Sequence, residues 1–290
     1  MSTLRHWLIA GDIHLGEHNP RQVALLVKLI RTLAPTLAGV VLNGDILDVT
    51  EVHKSTAGRR QAVLPGRSPL YLLEEIVLAK CFLGALTRAV EPGTTIQFIE
   101  GNHEVRIPRL VAAAVPELHP VTPTLKELLG LDELGIGWTP YNSHFLVGDW
   151  AIEHGHRCNI HACKGLLESY LGLNAIQGHS HRLKEYGHQT PDGRTLYGVE
   201  GGHLRNPDAS YLPRQRGQWQ AGVVLLTEVG QDRYQHSLLP FGEDRVILGR
   251  EVVTLKTNEA RSFWQPARDA LVGNHTRLID AVIDGRLMEV

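Results

Sequence analysis

The sequence predicts an α/β protein built as a two-sheet β-sandwich flanked by helices. Three observations carry this expectation. Short apolar runs alternate with helically patterned stretches in the N-terminal half, and strand-like runs follow one another in the C-terminal half. The apolar runs also end repeatedly in Gly followed by Asp, Asn or His.

Trp7 to Ala10 is a short apolar run stopped by Gly11-Asp12, the pattern of a buried strand that delivers a loop. Arg21 to Leu33 has apolar residues at Val23, Leu26, Val27 and Ile30, which is helical spacing. Val40 to Leu42 reads as a second buried strand ending in Gly44-Asp45, completing a βαβ unit. Residues 49–68 are polar, contain Gly and Pro, and carry Lys54, Arg59, Arg60 and Arg67, so a long basic loop over the site is expected.

Leu70 to Val90 has the apolar density of a long helix, and Thr94 to Ile99 is a β-rich run ending in Glu100-Gly101-Asn102-His103. Val105 to Val115 is helix-prone, and Leu118 to Leu134 reads as short helices and turns. Ile136 to Trp138, His144 to Val147 and Trp150 to Glu153 read as strands, the last two joined at Gly148-Asp149. The third of them ends in His154-Gly155-His156. Cys163 to Leu173 looks helical, and the short strand Ala175 to Gln177 precedes Gly178-His179-Ser180-His181. Leu196 to Val199, Ala221 to Thr227 and Tyr234 to Leu239 are expected to build a second sheet packed against the first. Residues 1–245 are read as one catalytic domain and 246–290 as a C-terminal extension.

At 290 residues the chain can bury a deep core. Lys plus Arg (29) nearly balance Asp plus Glu (31), so the net charge of -2 supplies no field to gather a polyanion; nucleic acid is neither implied nor excluded. Three cysteines without CxxC spacing suggest no zinc or redox framework and fit a reducing, cytoplasmic setting. The segment MSTLRHWLIAGD is expected to be neither signal peptide nor membrane span, since its apolar run breaks at once.

Sixteen histidines are many for this length, and several lie in tight pairs. Ligands of open α/β sheets gather outside the carboxyl ends of strands, so the loops holding Asp12, His14, Asp45, Asn102, His103, His154, His179 and His181 are expected to converge. Imidazoles, carboxylates and an amide oxygen form a mixed N/O donor set suited to Mn, Fe, Zn or Ni. So many donors exceed the needs of one ion. Two cations bridged by a carboxylate, about 3.5 to 4 Å apart, can clamp both oxygens of a phosphoryl displacement.

Five ordered blocks carry a resemblance: Asp12-Ile13-His14, Gly44-Asp45-Ile46-Leu47-Asp48, Gly101-Asn102-His103-Glu104, His154-Gly155-His156 and Gly178-His179-Ser180-His181. Together they resemble the calcineurin-like metallophosphoesterases. The resemblance implies a four-layer αββα architecture and a phosphoesterase acting on mono- or diesters by attack of a metal-bridging hydroxide. It implies two divalent ions, Mn foremost, with Asp12, His14 and His181 holding the first, Asn102, His154 and His179 the second, and Asp45 bridging. His103 is similar to the family's catalytic histidine, and Asp48 to the carboxylate that orients it; Asp48 as a helix cap is the competing reading.

Arg106 and Arg182 are candidates to hold phosphate oxygens, with surface salt bridging the alternative, and His156 is a candidate to contact substrate or to orient His154. Glu104 and Glu153 read as supporting residues rather than ligands. Asp48 is followed by Val49-Thr50 where the family's protein phosphatases have Arg-Gly, which argues against a phosphoprotein substrate. Small or nucleotide-like phosphate esters are the expected substrates. A DNA nuclease is the alternative, through a looser resemblance to bacterial and phage members grouped with DNA-repair exonucleases, and a non-catalytic interaction scaffold is the alternative of another class. Trp219 is read as core, with base stacking as its second reading.

Overall fold

Alternate side chains of the N-terminal strands face two different cores, which is why their sequences read as unbroken apolar runs. In β1 (His6–Ala10), Leu8 and Ala10 pack toward helices and Ile9 toward a second sheet. In β2 (Leu37–Asn43), Val40 and Leu42 face the helices and Val41 the second sheet. A strand covered on both faces needs no polar side. The structure is a computed structural model that describes residues 4–49, 71–206 and 218–271. Lys54, Arg59, Arg60 and Arg67 of the expected basic loop lie outside the described residues.

Among the described residues the first sheet has six strands. β3 (Thr95–Ile99) and β4 (Gly137–Thr139) extend it in parallel from β2, while β10 (Gly222–Gly230) and β11 (Arg233–Pro240) add antiparallel strands beyond β1. The sequence places Ala221 to Thr227 and Tyr234 to Leu239 in the second sheet, and the structure corrects this. β10 pairs with β1, Ile9 opposite Val224, so these strands belong to the first sheet. Periodicity reports that a strand is half-buried but not which neighbour it pairs with.

The second sheet holds β5 (Phe145–Val147), β6 (Trp150–Glu153), β7 (Asn174–Gln177), β9 (Thr195–Gly201) and β8 (Leu183–Gln189), in that order. Strands β6, β7 and β9 are parallel. β8 went unread because it is an exposed edge strand, Lys-Glu-Tyr-Gly-His-Gln after Leu183, with no apolar alternation. Ile9, Val41, Ile99, Val224 and Leu226 of the first sheet meet Val147, Trp150, Ile152, Ile176 and Val199 of the second.

Helices close both outer faces. α1 (Pro20–Leu33) begins at an Asn19 cap whose side chain accepts from the Arg21 and Gln22 amides, with Pro20 in the first turn. With α2 (Tyr71–Thr87) it covers the first sheet, burying Val23, Leu26, Ile30, Phe82 and Leu86. α3 (Arg106–Ala114) and α4 (Leu125–Leu129) follow β3, and α5 (Ala162–Ser169) lies on the second sheet, burying Cys163, Leu166 and Leu167. The layers are therefore α, β, β, α, as expected. No helix among the described residues is long and apolar enough to cross a membrane.

The described part of the expected extension is continuous with this core. Strands β12 (Arg245–Leu248) and β13 (Glu251–Thr254) form a hairpin, and α6 (Thr257–Phe263) and α7 (Gln265–Leu271) follow it. Val246, Val253, Leu255, Trp264 and Ala267 join the same buried cluster as α1 and α2. Trp264 donates its indole N–H to the Pro20 carbonyl at 2.9 Å, and its ring lies 4.7 Å from that of His18.

Two predictions follow from this packing. Trp264→Ala should lower unfolding free energy by about 3 kcal/mol, as expected for truncating a buried aromatic, in denaturant titrations; a change below about 1 kcal/mol would show the tail to be an appendage. Burial pushes the His18 imidazole down to about 4 from 6.5. A histidine held neutral in the fold contributes stability above its unfolded pKa and loses it as pH falls toward the folded value. The ring keeps some solvent contact, so the loss from pH 6.5 to 4 should be about 2 kcal/mol at most, and a His18→Asn variant should lack this component of the acid destabilisation.

Candidate metal centre

The parallel strands of both sheets point their carboxyl ends at one place. The loops after β1 and β2 run side by side there, with the Asp12 amide donating to the Gly44 carbonyl and the His14 amide to the Asp45 carbonyl, each at 2.9 Å. Gly44 is required: its φ is +75° and a Cβ would stand 2.5 Å from His154 Nδ1. Asp12, His14, Asp45, His179 and His181 all adopt positive φ between 50° and 67°. Asp and His tolerate this region better than most residues, yet five such positions in one cluster mark strain at a functional site.

Six of the expected ligands come together, with His103, in three overlapping groups: Asp12, His14 and His181; His14, Asp45 and His103; and Asp45, His154 and His179. His14 Nε2 is 3.0 Å from His181 Nε2, and His181 Nε2 is 3.2 Å from Asp12 Oδ1. On the other side His154 Nε2 lies 3.0 Å from Asn102 Oδ1 and 3.3 Å from Asp45 Oδ1. Adjacent donors around an ion with bonds of about 2.1 Å stand roughly 3.0 to 3.4 Å apart. The spacing thus fits metal coordination by these His and Asp groups.

Hydrogen bonding leaves this donor set free for ions. Asp12 Oδ2 accepts the His179 amide at 2.8 Å while the buried Oδ1 has no hydrogen-bond partner. Asp45 Oδ1 accepts the His103 amide at 2.9 Å, and Oδ2 faces His103 Nε2 at 3.6 Å and His14 Nε2 at 4.0 Å. Burial would raise the Asp45 carboxyl, but the surrounding imidazoles of His103, His154 and His14 draw it well below the usual carboxylate range. Burial opposes charge on His154, yet Asp45 beside it lifts that imidazole to about 10. In this arrangement the Asp45 carboxylate and the His154 imidazolium compensate one another. No cysteine belongs to any of the groups.

The loops are locked by Glu104, which is fully buried. Its carboxylate accepts the amides of Ile46 (2.7 Å), Gly101 (2.8 Å), Asp45 (3.0 Å) and Leu47 (3.0 Å). Burial and the neighbouring Asp45 push its carboxyl up to about 7, an upward shift that the Leu47 amide partly offsets.

Several expected roles change. Asp48 does not grip His103 with its carboxylate: Oδ1 is 2.9 Å from His14 Nδ1 and 3.8 Å from His103 Nδ1. His103 Nδ1 instead contacts the Asp48 backbone carbonyl. The Asp48 carboxylate is thus turned toward the loop after β1 rather than onto His103, and the stretch on which the helix-cap reading rests lies outside the described residues. Arg182 is not poised for phosphate either. Its guanidinium holds Glu200 Oε1 through Nη2 (2.6 Å) and Nε (2.9 Å), and Nη2 also donates to the Asn159 carbonyl at 2.6 Å. A buried Glu200 between the sheets and α5 needs that partner.

His156 is exposed, and it is the Asn43 carbonyl, 2.9 Å from His154 Nδ1, that orients His154. Arg106 does reach the cluster, with Nη1 2.9 Å from His103 Nδ1 and 3.1 Å from the Asp48 carbonyl. Trp219 is half-buried with its ring 4.4 Å from that of His181, at the rim rather than in the core. Sequence reasoning missed His203 and Arg205. The signal was present, since Gly201-Gly202-His203 follows the run Leu196 to Val199 as the other ligand blocks follow theirs.

No protein-family model matches the chain, and no curated protein matches it. Among solved structures it is similar to wild-type Vps29 from Entamoeba histolytica complexed with Zn2+, at 13% identity and a TM-score of 0.40, over 85% of this chain and 95% of that one.

Glu104→Gln should cost about 2 to 4 kcal/mol, because two of the four amide donors would face an NH2 group instead of an oxygen. Denaturant unfolding of the metal-free protein measures it, and a cost within 0.5 kcal/mol of zero would show that the lock is dispensable.

Proposed function

We propose that the chain is a metal-dependent phosphoesterase that hydrolyses small or nucleotide-like phosphate mono- or diesters. The observation that carries this reading is the convergence of N and O donors at ligand spacing, with unpartnered Asp12 Oδ1, on the carboxyl ends of two sheets. The resemblance of the five sequence blocks supports the same reading. Asp12, His14 and His181 would hold one divalent cation, Asn102, His154 and His179 the other, and Asp45 would contact both. Mn is the leading candidate, and Fe, Zn and Ni also suit the N/O set. Bound there, paired cations supply Lewis-acid activation of water and of phosphoryl oxygens.

The chain's own residues supply the rest. His103 is held at Nδ1 by the Asp48 carbonyl and turns Nε2 toward Asp45; burial lowers this imidazole to about 3, so it would serve a departing oxygen as general acid only after taking a second proton, on Nε2. Arg106, beside it, offers a guanidinium to non-bridging phosphate oxygens. Asp48 fixes His14 in the tautomer whose Nε2 lone pair faces the cluster. Buried walls keep each of these groups in one orientation before substrate arrives.

The Mn-loaded protein should hydrolyse an aryl phosphodiester or monoester. His103→Ala should lower kcat about 10²- to 10⁴-fold while retaining two equivalents of metal. Asp45→Asn should lose both metal and activity with unchanged circular dichroism. Absence of turnover on any phosphate ester at saturating Mn would overturn the proposal, and a persistently metal-free protein would favour a scaffold.

A further inference from the structure

The recognised blocks stop at His181, but the parallel strands continue. β9 runs beside β7 in the second sheet, and its carboxyl end leads into Gly202-His203-Leu204-Arg205. Three consecutive residues there reach every member of the Asp12, His14 and His181 group. The His203 ring stacks on that of His181, with centroids 5.3 Å apart and planes 28° from parallel. The Leu204 amide donates to the Asp12 carbonyl at 3.1 Å. Arg205 Nη2 lies 3.3 Å from Asp48 Oδ1, the same oxygen that meets His14 Nδ1 at 2.9 Å.

The segment is built to stay in place. His203, Leu204, Arg205 and Asp48 are all buried, with exposures of 3%, 0%, 2% and 0%. The Gly222 amide donates to the His203 carbonyl at 3.2 Å, and the Asn19 amide to the Leu204 carbonyl at 2.8 Å. The Arg205 amide donates to His203 Nδ1 at 3.0 Å, which sets the tautomer of that ring. The His154 side of the cluster is oriented by other groups, the Asn43 carbonyl and the Glu104 lock.

We propose that His203, Leu204 and Arg205 form a positioning strut for one of the two cation positions, that of Asp12, His14 and His181. This rests on reading the cluster as a two-cation centre. Arg205 keeps the buried Asp48 aimed, Asp48 holds the His14 Nδ1–H, and His14 thereby presents Nε2 to the ion. His203 fixes the plane of His181 from the opposite side. Outer partners of this kind typically change metal affinity 10- to 100-fold without touching the ion.

The test compares wild type with Arg205→Met and Arg205→Lys by calorimetric titration with Mn2+ and by electron paramagnetic resonance. In Arg205→Met one equivalent should weaken 10- to 100-fold while the other keeps its affinity, and the spectrum should pass from a coupled pair to a single ion. Arg205→Lys should recover part of the loss. Equal weakening of both equivalents, or no change in either, overturns the strut. A second readout needs no metal: in the metal-free protein the His14 Nδ1–H should give a slowly exchanging downfield proton resonance, kept in Arg205→Lys and lost in Arg205→Met. Its persistence in Arg205→Met overturns the strut even if wild type binds no Mn2+, a result that would by itself end the two-cation reading. Should Arg205→Met fail to fold, Arg205→Gln, which removes the charge and keeps a polar side chain, decides by the same titration: a selective loss in one equivalent supports the strut, and a uniform loss or none overturns it.

Discussion

The Glu104 carboxylate is the interaction on which the site depends. It satisfies four amides from two loops that would otherwise bury unpaired donors, and it does so at the point where β2 and β3 hand their chains to Asp45 and His103. A buried charge of this kind is tolerated only when its acceptor capacity is filled. The consequence is a rigid floor. Asp45 can then adopt a positive φ and hold its carboxylate between His14 and His154, because its own amide and the next two are already spoken for.

The two candidate ligand carboxylates share a device. Asp12 and Asp45 each give one oxygen to the backbone amide of a histidine in a neighbouring loop, His179 and His103 respectively. That bond fixes the carboxylate and ties together loops distant in sequence. Asp12 thereby links the first sheet to the second, while its other oxygen stays without a hydrogen bond in a buried setting. Such an oxygen is costly unless something positive meets it. The cluster's strained backbone and its orphaned acceptor point to the same conclusion by independent routes.

Much of this was legible because most of the candidate blocks follow one pattern, an apolar strand followed by Gly and a donor residue, with His154 placed directly after its strand. The pattern picked out Asp12, His14, Asp45, Asn102, His103, His154, His179 and His181, which the structure brings to one place. It did not resolve what lies behind those donors. Asp48 reads as a partner of His103 by its place in a block, but the side chain turns the other way because His14 Nδ1 and the Arg205 guanidinium lie on that side. Arg182 reads equally as a phosphate-binding group or a surface salt-bridge partner, yet it is buried against Glu200, 18 residues on, across β8 and β9. Long-range pairing of buried charges leaves no local trace in a sequence. Strand order was opaque for the same reason, since β10 sits next to β1 from more than 200 residues away.

The end of β9 carries the same pattern. Leu196 to Val199 is an apolar run, Gly201-Gly202 follows after Glu200, and His203 comes next. Because β9 is parallel to β7, it delivers its end to the same edge. Topology makes the point general. In a sandwich of two partly parallel sheets, every parallel strand contributes one loop to the shared rim, and a polar residue at that position faces the site or supports a residue that does. His203 and Arg205 are of the second kind: buried, paired with groups of the cluster, and set one layer behind the donors they steady.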